Sequence, residues 1–161
     1  MKKNYYVLFV CSGNTCRSPL AEALMKSGLE ERGMGGICVS SAGVSAVRGL
    51  RAAENTRLVA REFGASLAGF KSSPVTARRV AVADLILAME SKHMYGILDR
   101  WPGACDKTHV ITDFSGGGRR GIPDPVGGSL DTYRECGAAL SDEIKRIIPR
   151  VRKLVSARGK K

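Results

Sequence analysis

The hydrophobic positions of the chain fall into short runs separated by stretches with helical spacing. The first run, YYVLFV at 5–10, is unbroken, which is typical of a strand buried on both faces of a parallel sheet. Three further segments are rich in β-forming residues and predict strands, the first of them together with its following loop. These segments are 37–44, 83–89 and 108–112.

Helices are predicted between these strands. In the first, apolar residues recur at helical spacing from Leu20 to Ser27, Pro19 suits the first helical position, and the helix should end near Gly33. The other predicted helices are 51–63, a short piece opened by 72–74, 90–99 and a final helix after the cap Ser129. In that final helix, Pro149 should kink or end the structure.

This order of elements predicts the fold class. Strands that alternate with helices are joined by βαβ crossovers, so their sheet is parallel. We therefore expect an α/β fold, a three-layer αβα sandwich with a four-stranded parallel sheet. The 161 residues are interpreted as one domain, 1–161, ending in a basic, frayed tail at 156–161. The glycine- and proline-rich stretch 113–128 is the one long irregular segment, and such loops are usually functional or disordered.

The positive charge is concentrated at the C-terminal end. The formal net charge is +11, of which residues 145–161 supply +8 and the remainder +3. One interpretation is a solvated helix face that runs into the tail, and the other is attraction to an anionic partner. No aromatic residue is interleaved with these cations, so we expect no nucleic-acid partner.

Composition also indicates the cellular compartment of the protein. No segment approaches the roughly 20 apolar residues that span a bilayer, and the N-terminal apolar run is short for a signal peptide. We therefore expect a cytoplasmic protein without a membrane association. The five cysteines are odd in number and scattered, which argues against a disulfide framework. Among them, Cys38, Cys105 and Cys136 are expected to be small core or near-core residues.

The candidate chemistry lies in VCSGNTCRSP at 10–19. This stretch follows the first strand and precedes a helix, where ligands of α/β sheets bind and where free N–H groups attract anions. Gly13 and Asn14 can take left-handed backbone angles, which let successive N–H groups form a cradle. The stretch lacks the Walker and dinucleotide patterns, and His93 and His109 give no zinc spacing. No metal or organic cofactor is implied.

The spacing of Cys11 and Arg17 has a chemical reason. If the intervening backbone wraps an oxyanion, the sulfur of Cys11 lies beneath it, while the planar fork of Arg17 binds two of its oxygens. The same donors stabilise a thiolate, and such surroundings lower a cysteine pKa to roughly 3.5–7.5. A phosphorus atom held there is open to in-line attack.

Together, these stretches resemble the low-molecular-weight protein-tyrosine phosphatases, from Tyr6 to about Arg150. The matching pieces are VCSGNTCRSP, SSAGV at 40–44, the DLILAM strand and DP at 124–125. Within the family, the bacterial protein-arginine phosphatases are the most similar branch, through GNTCRSP, SSPVT at 72–76 and DPVGGSLDTY at 124–133. The resemblance implies a protein phosphatase that acts on a phosphorylated protein.

The resemblance also assigns roles. Cys11 would be the nucleophile that forms a phosphocysteine, and Arg17 would hold the transferring group with the loop backbone. Ser18 would hydrogen-bond the thiolate, a role compatible with capping the helix. Asp124 would protonate the leaving atom and then activate water. The phosphate-binding positions would be Ser12, Gly13, Asn14, Thr15, Cys16, Arg17 and Ser18.

The resemblance also refines the expected roles of five positions. Asn14 would brace the loop, with Ser41 as its partner. Thr15 stands where arginine-directed members carry threonine and tyrosine-directed members a bulkier aliphatic residue, so it favours phosphoarginine. Val126 replaces the aromatic residue that the family usually places after the Asp-Pro pair as a wall for the substrate. Cys16 matches the second loop cysteine, and we hypothesise a reversible Cys11–Cys16 disulfide under peroxide.

Three other functions compete with phosphoarginine hydrolysis. The first is phosphotyrosine hydrolysis by the same mechanism. The second is arsenate reduction, which uses a further cysteine pair that 83–104 lacks. The third is a non-catalytic phosphate-binding module, which would need neither a nucleophile nor an acid. The oligomeric state is left open.

Overall fold

The computed structural model describes residues 3–159 and contains the predicted sheet. Its four strands are all parallel, in the order β2-β1-β3-β4, which confirms the α/β fold class. The strands are β1 (Tyr5–Cys11), β2 (Ile37–Gly43), β3 (Leu85–Ala88) and β4 (Thr108–Val110). Because strand order reverses next to β1, the carboxyl end of β1 lies at the favoured ligand position of an open sheet.

Six α-helices and one 3₁₀ turn connect or follow the strands among the described residues. The helices are α1 (Arg17–Glu31), α2 (Glu54–Glu62), α3 (Ala77–Val82), α4 (Ser91–Arg100), α5 (Ile111–Phe114) and α6 (Leu130–Arg158), and the 3₁₀ turn is Pro102–Lys107. The side chain of Ser129 accepts a hydrogen bond from the backbone of Thr132, which confirms this residue as the cap of α6.

Two hydrophobic cores cover the two faces of the sheet. Along β1, Val7 and Phe9 belong to the core shared with α1, α2 and α6, whereas Leu8 and Val10 belong to the core shared with α3 and α4. A strand buried on both faces needs apolar residues at successive positions, which is why the run at 5–10 is unbroken. The layers are therefore helix, sheet and helix, as predicted.

The start of α1 differs from the prediction. The helix begins at Arg17, so Pro19 is its third residue and not its first. The first four N–H groups of a helix have no intrahelical partner, so a proline is tolerated there. The position before the helix is Cys16, whose side chain forms no capping bond, and Ser18 lies inside the helix. Ser18 is therefore not a cap.

Two other boundaries differ from the sequence-based predictions, and a third decides between predicted alternatives. The short helix expected to open at 72–74 begins only at Ala77, after its cap Thr76. The strand predicted over 108–112 stops at Val110, because 111–114 form one helical turn closed by the hydrogen bond from Ser115 N to Ile111 O. The final helix does not end at Pro149 but continues to Arg158. Buried Ile148 and Val151 flank the proline, so packing holds both sides of the helix to the core. Residues 156–158 are thus helical, and Lys160 and Lys161 of the predicted tail lie outside the described residues.

The cysteines divide by environment. Cys136 is buried, as predicted, but Cys38 is half-buried and Cys105 is exposed, so the core prediction is wrong for Cys105. Cys105 lies in the 3₁₀ turn between α4 and β4, with its side chain at the surface. All five thiols are free. No helix of residues 3–159 has the length and hydrophobicity to cross a bilayer.

Candidate active site

The loop after β1 is fixed by hydrogen bonds to the loop after β2. The carbonyl groups of Cys11 and Ser12 accept from the N–H groups of Val44 and Ser45, each at 3.0 Å. At the end of β2, Gly43 leaves room for this contact, since a Cβ there would lie 2.4 Å from the Ser12 carbonyl oxygen. The two loops therefore form one edge of the sheet.

Asn14 braces this loop from inside, as expected. The residue is fully buried and takes a left-handed φ of 55°, which asparagine tolerates better than most residues. Its amide nitrogen donates to Ser18 at 2.8 Å and to Ser41 at 3.0 Å, and its amide oxygen accepts from the N–H of Ser73 at 2.9 Å. The hydroxyl of Ser41 in turn donates to Glu22 at 2.5 Å. The loop is thus held by a network of polar side chains that extends to α1 and β2.

Ser18 connects this network to the sulfur of Cys11. Its Oγ lies 2.9 Å from Sγ, and both residues are buried. Because Ser18 accepts from Asn14, its own proton is available to either of two acceptors, the sulfur at 2.9 Å and the Ala42 carbonyl at 3.4 Å, of which the sulfur is nearer. A hydroxyl that donates to sulfur stabilises a thiolate.

Arg17 lies almost entirely out of solvent, with 1% of its surface exposed. One terminal nitrogen, Nη1, forms an ion pair with Glu90 and donates to the carbonyl of Ile122 at 2.9 Å. The other, Nη2, lies 3.3 Å from Oδ2 of Asp124. The buried Nε has no hydrogen-bond partner among residues 3–159. The guanidinium is therefore oriented by two carboxylates and keeps one unused buried donor.

Asp124 reaches Arg17 from the irregular stretch 113–128. That stretch approaches the sheet at Gly121, whose φ is 71° and where a Cβ would lie 2.7 Å from the Met89 carbonyl oxygen. The next residue, Ile122, donates its N–H to the same carbonyl at 2.8 Å. These contacts seat the loop on the end of β3. Asp124 itself is 39% exposed, so its carboxylate is open to a ligand.

Sequence analysis missed two polar residues of this site, Glu90 and His93. His93 Nε2 lies 2.8 Å from the hydroxyl of Ser12, and its Nδ1 accepts from the N–H of Glu90 at 3.1 Å. The Nδ1 contact requires an unprotonated Nδ1, so Nε2 carries the proton and donates to Ser12. Both residues directly follow β3, the neighbour of β1, and that position at the same sheet edge is the signal that could have found them.

Their pKa values follow from their surroundings. Burial, together with the nearby charge of Arg17, lowers the pKa of His93 to about 4, so the imidazole is neutral near pH 7. Burial raises the pKa of the Glu90 carboxyl, but the hydrogen bond and charge of Arg17 outweigh this and hold it below its ordinary value. Glu90 is thus an anion that orients Arg17.

The remaining predicted positions surround the loop. Thr15 is half-buried, and its carbonyl accepts from the N–H of Ala53 at 2.9 Å. Cys16 is buried, with its sulfur 3.6 Å from the hydroxyl of Tyr133. Val126 is 65% exposed and makes its backbone contact to Asp124, whose Oδ1 accepts from its N–H at 3.1 Å. Val126 therefore forms no buried wall.

The structure thus brings Cys11, Arg17 and Asp124 to one sheet edge. A metal does not explain the cluster, since no three His, Cys, Asp or Glu side chains within residues 3–159 are placed to hold an ion. A thiol beneath a loop of backbone donors, an arginine with an unused donor and an adjacent carboxylic acid define the class of cysteine-dependent phosphatases.

Comparison with known proteins narrows the class. The family model described as low molecular weight phosphotyrosine protein phosphatase matches residues 6–157. The chain therefore belongs to that family.

Individual relatives and structures agree with this. A protein-arginine-phosphatase of Geobacillus stearothermophilus is 40% identical, over 91% of this chain and 93% of the relative. A probable low molecular weight protein-tyrosine-phosphatase, AmsI of Erwinia amylovora, is 34% identical over 87% and 92%. Among solved structures, a mutant YwlE arginine phosphatase with a phosphorylated active-site serine has a TM-score of 0.88 at 34% identity, covering 92% of this chain and 96% of that chain.

Proposed function

We propose that the protein removes phosphate from phosphoarginine side chains of proteins through a phosphocysteine intermediate. The observation that carries the proposal is the contact of Arg17 with Asp124 at 3.3 Å, directly beside the loop that holds Cys11. Nucleophile, phosphate-orienting cation and acid come from three separate parts of the chain and converge on one loop. A module that only binds phosphate would need the cation but neither of the other two.

In the first step, the Cys11 thiolate attacks phosphorus, and the bond from phosphorus to the leaving nitrogen breaks. The unused Nε of Arg17 and the loop N–H groups bind the phosphoryl oxygens, which carry the negative charge. Asp124, protonated in the complex, gives its proton to the leaving nitrogen. The products of this step are a neutralised leaving group and a phosphocysteine.

In the second step, a water molecule attacks the same phosphorus. The Asp124 carboxylate accepts its proton, the sulfur–phosphorus bond breaks, and the thiolate returns, stabilised by the Ser18 hydroxyl. Inorganic phosphate is released. The solved relative supports such an intermediate, because in that mutant a serine that replaces an active-site cysteine carries the phosphate.

Two observations favour phosphoarginine as the substrate. Thr15 places a hydroxyl in the loop where an aliphatic residue would leave only methyl groups, and a hydroxyl can accept from a guanidinium N–H. The 40% identical relative is named a protein-arginine-phosphatase. The absence of an aromatic wall at Val126 removes a stacking surface worth about 0.5–2 kcal/mol for either substrate, so it does not discriminate.

The test compares kcat/KM on phosphoarginine and phosphotyrosine peptides of the same sequence. We expect a higher value on phosphoarginine, and Thr15→Ile should shift the ratio towards phosphotyrosine. Thr15→Ser, which keeps the hydroxyl, is the matched control and should keep the ratio near that of the wild type. A clear tyrosine preference of the wild type would make the enzyme a tyrosine phosphatase with the same mechanism. Turnover retained in Cys11→Ser would defeat the mechanism itself.

A further inference from the structure

A second concave site lies beside α2, apart from the catalytic residues. It is a pocket of about 280 Å³ between α2 and the segment 66–71. Four cationic side chains line it, namely Arg51, Arg57, Arg61 and Lys71, and no acidic residue does. We call it the cationic pocket.

The charges of this pocket are not compensated within the described chain. None of the four cations forms an ion pair with a carboxylate of residues 3–159, whereas Glu62 of the same helix is bound by Arg134 of α6 at 2.9 Å. Within the pocket, the Nε of Arg57 is buried and has no hydrogen-bond partner among those residues. A buried donor without a partner costs about 1–3 kcal/mol, so an acceptor bound there would relieve that cost.

The pocket and the catalytic loop share a wall. The segment 50–53 carries Arg51 of the pocket, and its Ala53 donates to the Thr15 carbonyl at 2.9 Å. The same segment is tied to the far side of the pocket, since Leu50 and Ser72 exchange two hydrogen bonds, at 2.8 and 2.9 Å. The segment 50–53 therefore connects the cationic pocket to the catalytic loop.

We propose that the cationic pocket binds acidic residues that flank the phosphorylated residue of the protein substrate. The proposal rests on the proposed function, because it assigns a docking site to that same substrate. Arginine forks bind carboxylates with two parallel hydrogen bonds, and Arg57 and Arg61 lie one turn apart on one face of α2. Nucleic acid fits less well, because the pocket is lined by one aromatic residue, Phe70, and offers no row of stacking surfaces.

The experiment uses two phosphopeptides with the same central residue, one flanked by glutamates and one by glutamines on both sides. The variant Arg51→Gln/Arg61→Gln changes two exposed side chains, and the control Arg152→Gln/Lys153→Gln removes the same charge from the far end of α6. Rates on para-nitrophenyl phosphate serve as the reference for each variant. We expect wild type and control to prefer the acidic peptide by about tenfold in kcat/KM, and the pocket variant to lose most of that preference. Arg57→Gln alone should reduce it as well.

Binding provides a second readout that does not depend on turnover. A labelled, unphosphorylated glutamate peptide should bind the wild type and the control several-fold more tightly than the pocket variant at low salt. Equal binding by all three proteins, or no preference of the wild type for acidic flanks, would overturn the docking site while leaving the phosphatase intact. A single-stranded oligonucleotide that displaces the peptide and discriminates more strongly between variant and control would assign the pocket to nucleic acid instead. Failure to hydrolyse any phosphopeptide would defeat the proposed function, and peptide binding would still decide the pocket.

Discussion

The sulfur of Cys11 lies 2.9 Å from the hydroxyl oxygen of Ser18, and the same oxygen accepts a hydrogen bond from the side-chain amide nitrogen of Asn14 at 2.8 Å. The Asn14 amide can only donate through this nitrogen, so the serine proton is left for one of two acceptors, the Cys11 sulfur and the more distant Ala42 carbonyl at 3.4 Å. A hydrogen bond to a charged group contributes about 1.5–3 kcal/mol. A thiolate formed at Cys11 would therefore be stabilised by the Ser18 hydroxyl.

We predict that Ser18→Ala slows the reaction of Cys11 with iodoacetamide at pH 7 by about tenfold, because the variant lacks the hydroxyl that stabilises a thiolate at this sulfur. The rate of inactivation by iodoacetamide at fixed pH measures the effect. Ser41→Ala is the control: it removes the other hydroxyl bonded to Asn14 but no bond to sulfur. Equal losses of rate in both variants would mean that Ser18 acts only through the loop's structure.

The approach of the irregular loop to the sheet depends on Gly121. Gly121 and Gly118 both have a left-handed backbone, with φ values of 71° and 76° respectively. Of the two, Gly121 alone has other atoms within 4 Å of the position that a Cβ would occupy. We predict that Gly121→Ala destabilises the protein by about 2 kcal/mol more than Gly118→Ala, since it adds a clash with the Met89 carbonyl to a similar backbone strain. Urea unfolding of the two variants measures the difference.

The variants Gly121→Ala and Gly118→Ala also test how this loop positions Arg17 and Asp124. In Gly121→Ala, displacement of Ile122 removes the carbonyl that Arg17 donates to, so kcat should fall, whereas Gly118→Ala should change kcat little. Equal losses of activity in both variants would show that activity depends on the loop as a whole and not on its contact with the end of β3. The assay on para-nitrophenyl phosphate at fixed pH is sufficient.

The sheet and its layers could be predicted because strands buried on both faces need unbroken apolar runs. The anion loop could be found because Cys11, Arg17 and the left-handed residue Asn14 lie within one short stretch. Glu90 and His93 could not be found in this way, because no sequence motif marks two polar residues after a strand. Their role depends on the pairing of β3 with β1. Whether α6 ends or continues at Pro149 could not be decided from the sequence for the same reason, since tertiary packing outweighs the loss of one hydrogen bond.

The thiols beneath the loop should respond differently to peroxide. A stabilised Cys11 thiolate is oxidised to a sulfenic acid, and attack by the Cys16 thiol would release water and form a disulfide. Burial raises the pKa of Cys136 to about 12, so this third buried thiol should stay unreactive. Mass spectrometry after mild oxidation should therefore find a Cys11–Cys16 bond in the wild type. Its absence, with Cys11 present as a sulfonic acid, would contradict the prediction, and Cys16→Ser should show that overoxidation.

His93 should make the stability of the fold depend on pH. Burial and the charge of Arg17 lower its pKa from an ordinary value near 6.5 to about 4 in the folded state. Between these values, the unfolded chain binds the proton and the folded chain does not, so stability falls as pH drops from about 6.5 to about 4. His93→Gln keeps an amide donor for the Ser12 hydroxyl but removes the titration. We predict that the loss of unfolding free energy from pH 7 to pH 5 is about 2 kcal/mol larger in the wild type than in this variant. Urea titrations at the two pH values measure it, and parallel losses in the two proteins would show that His93 is protonated as readily in the folded chain as in the unfolded one.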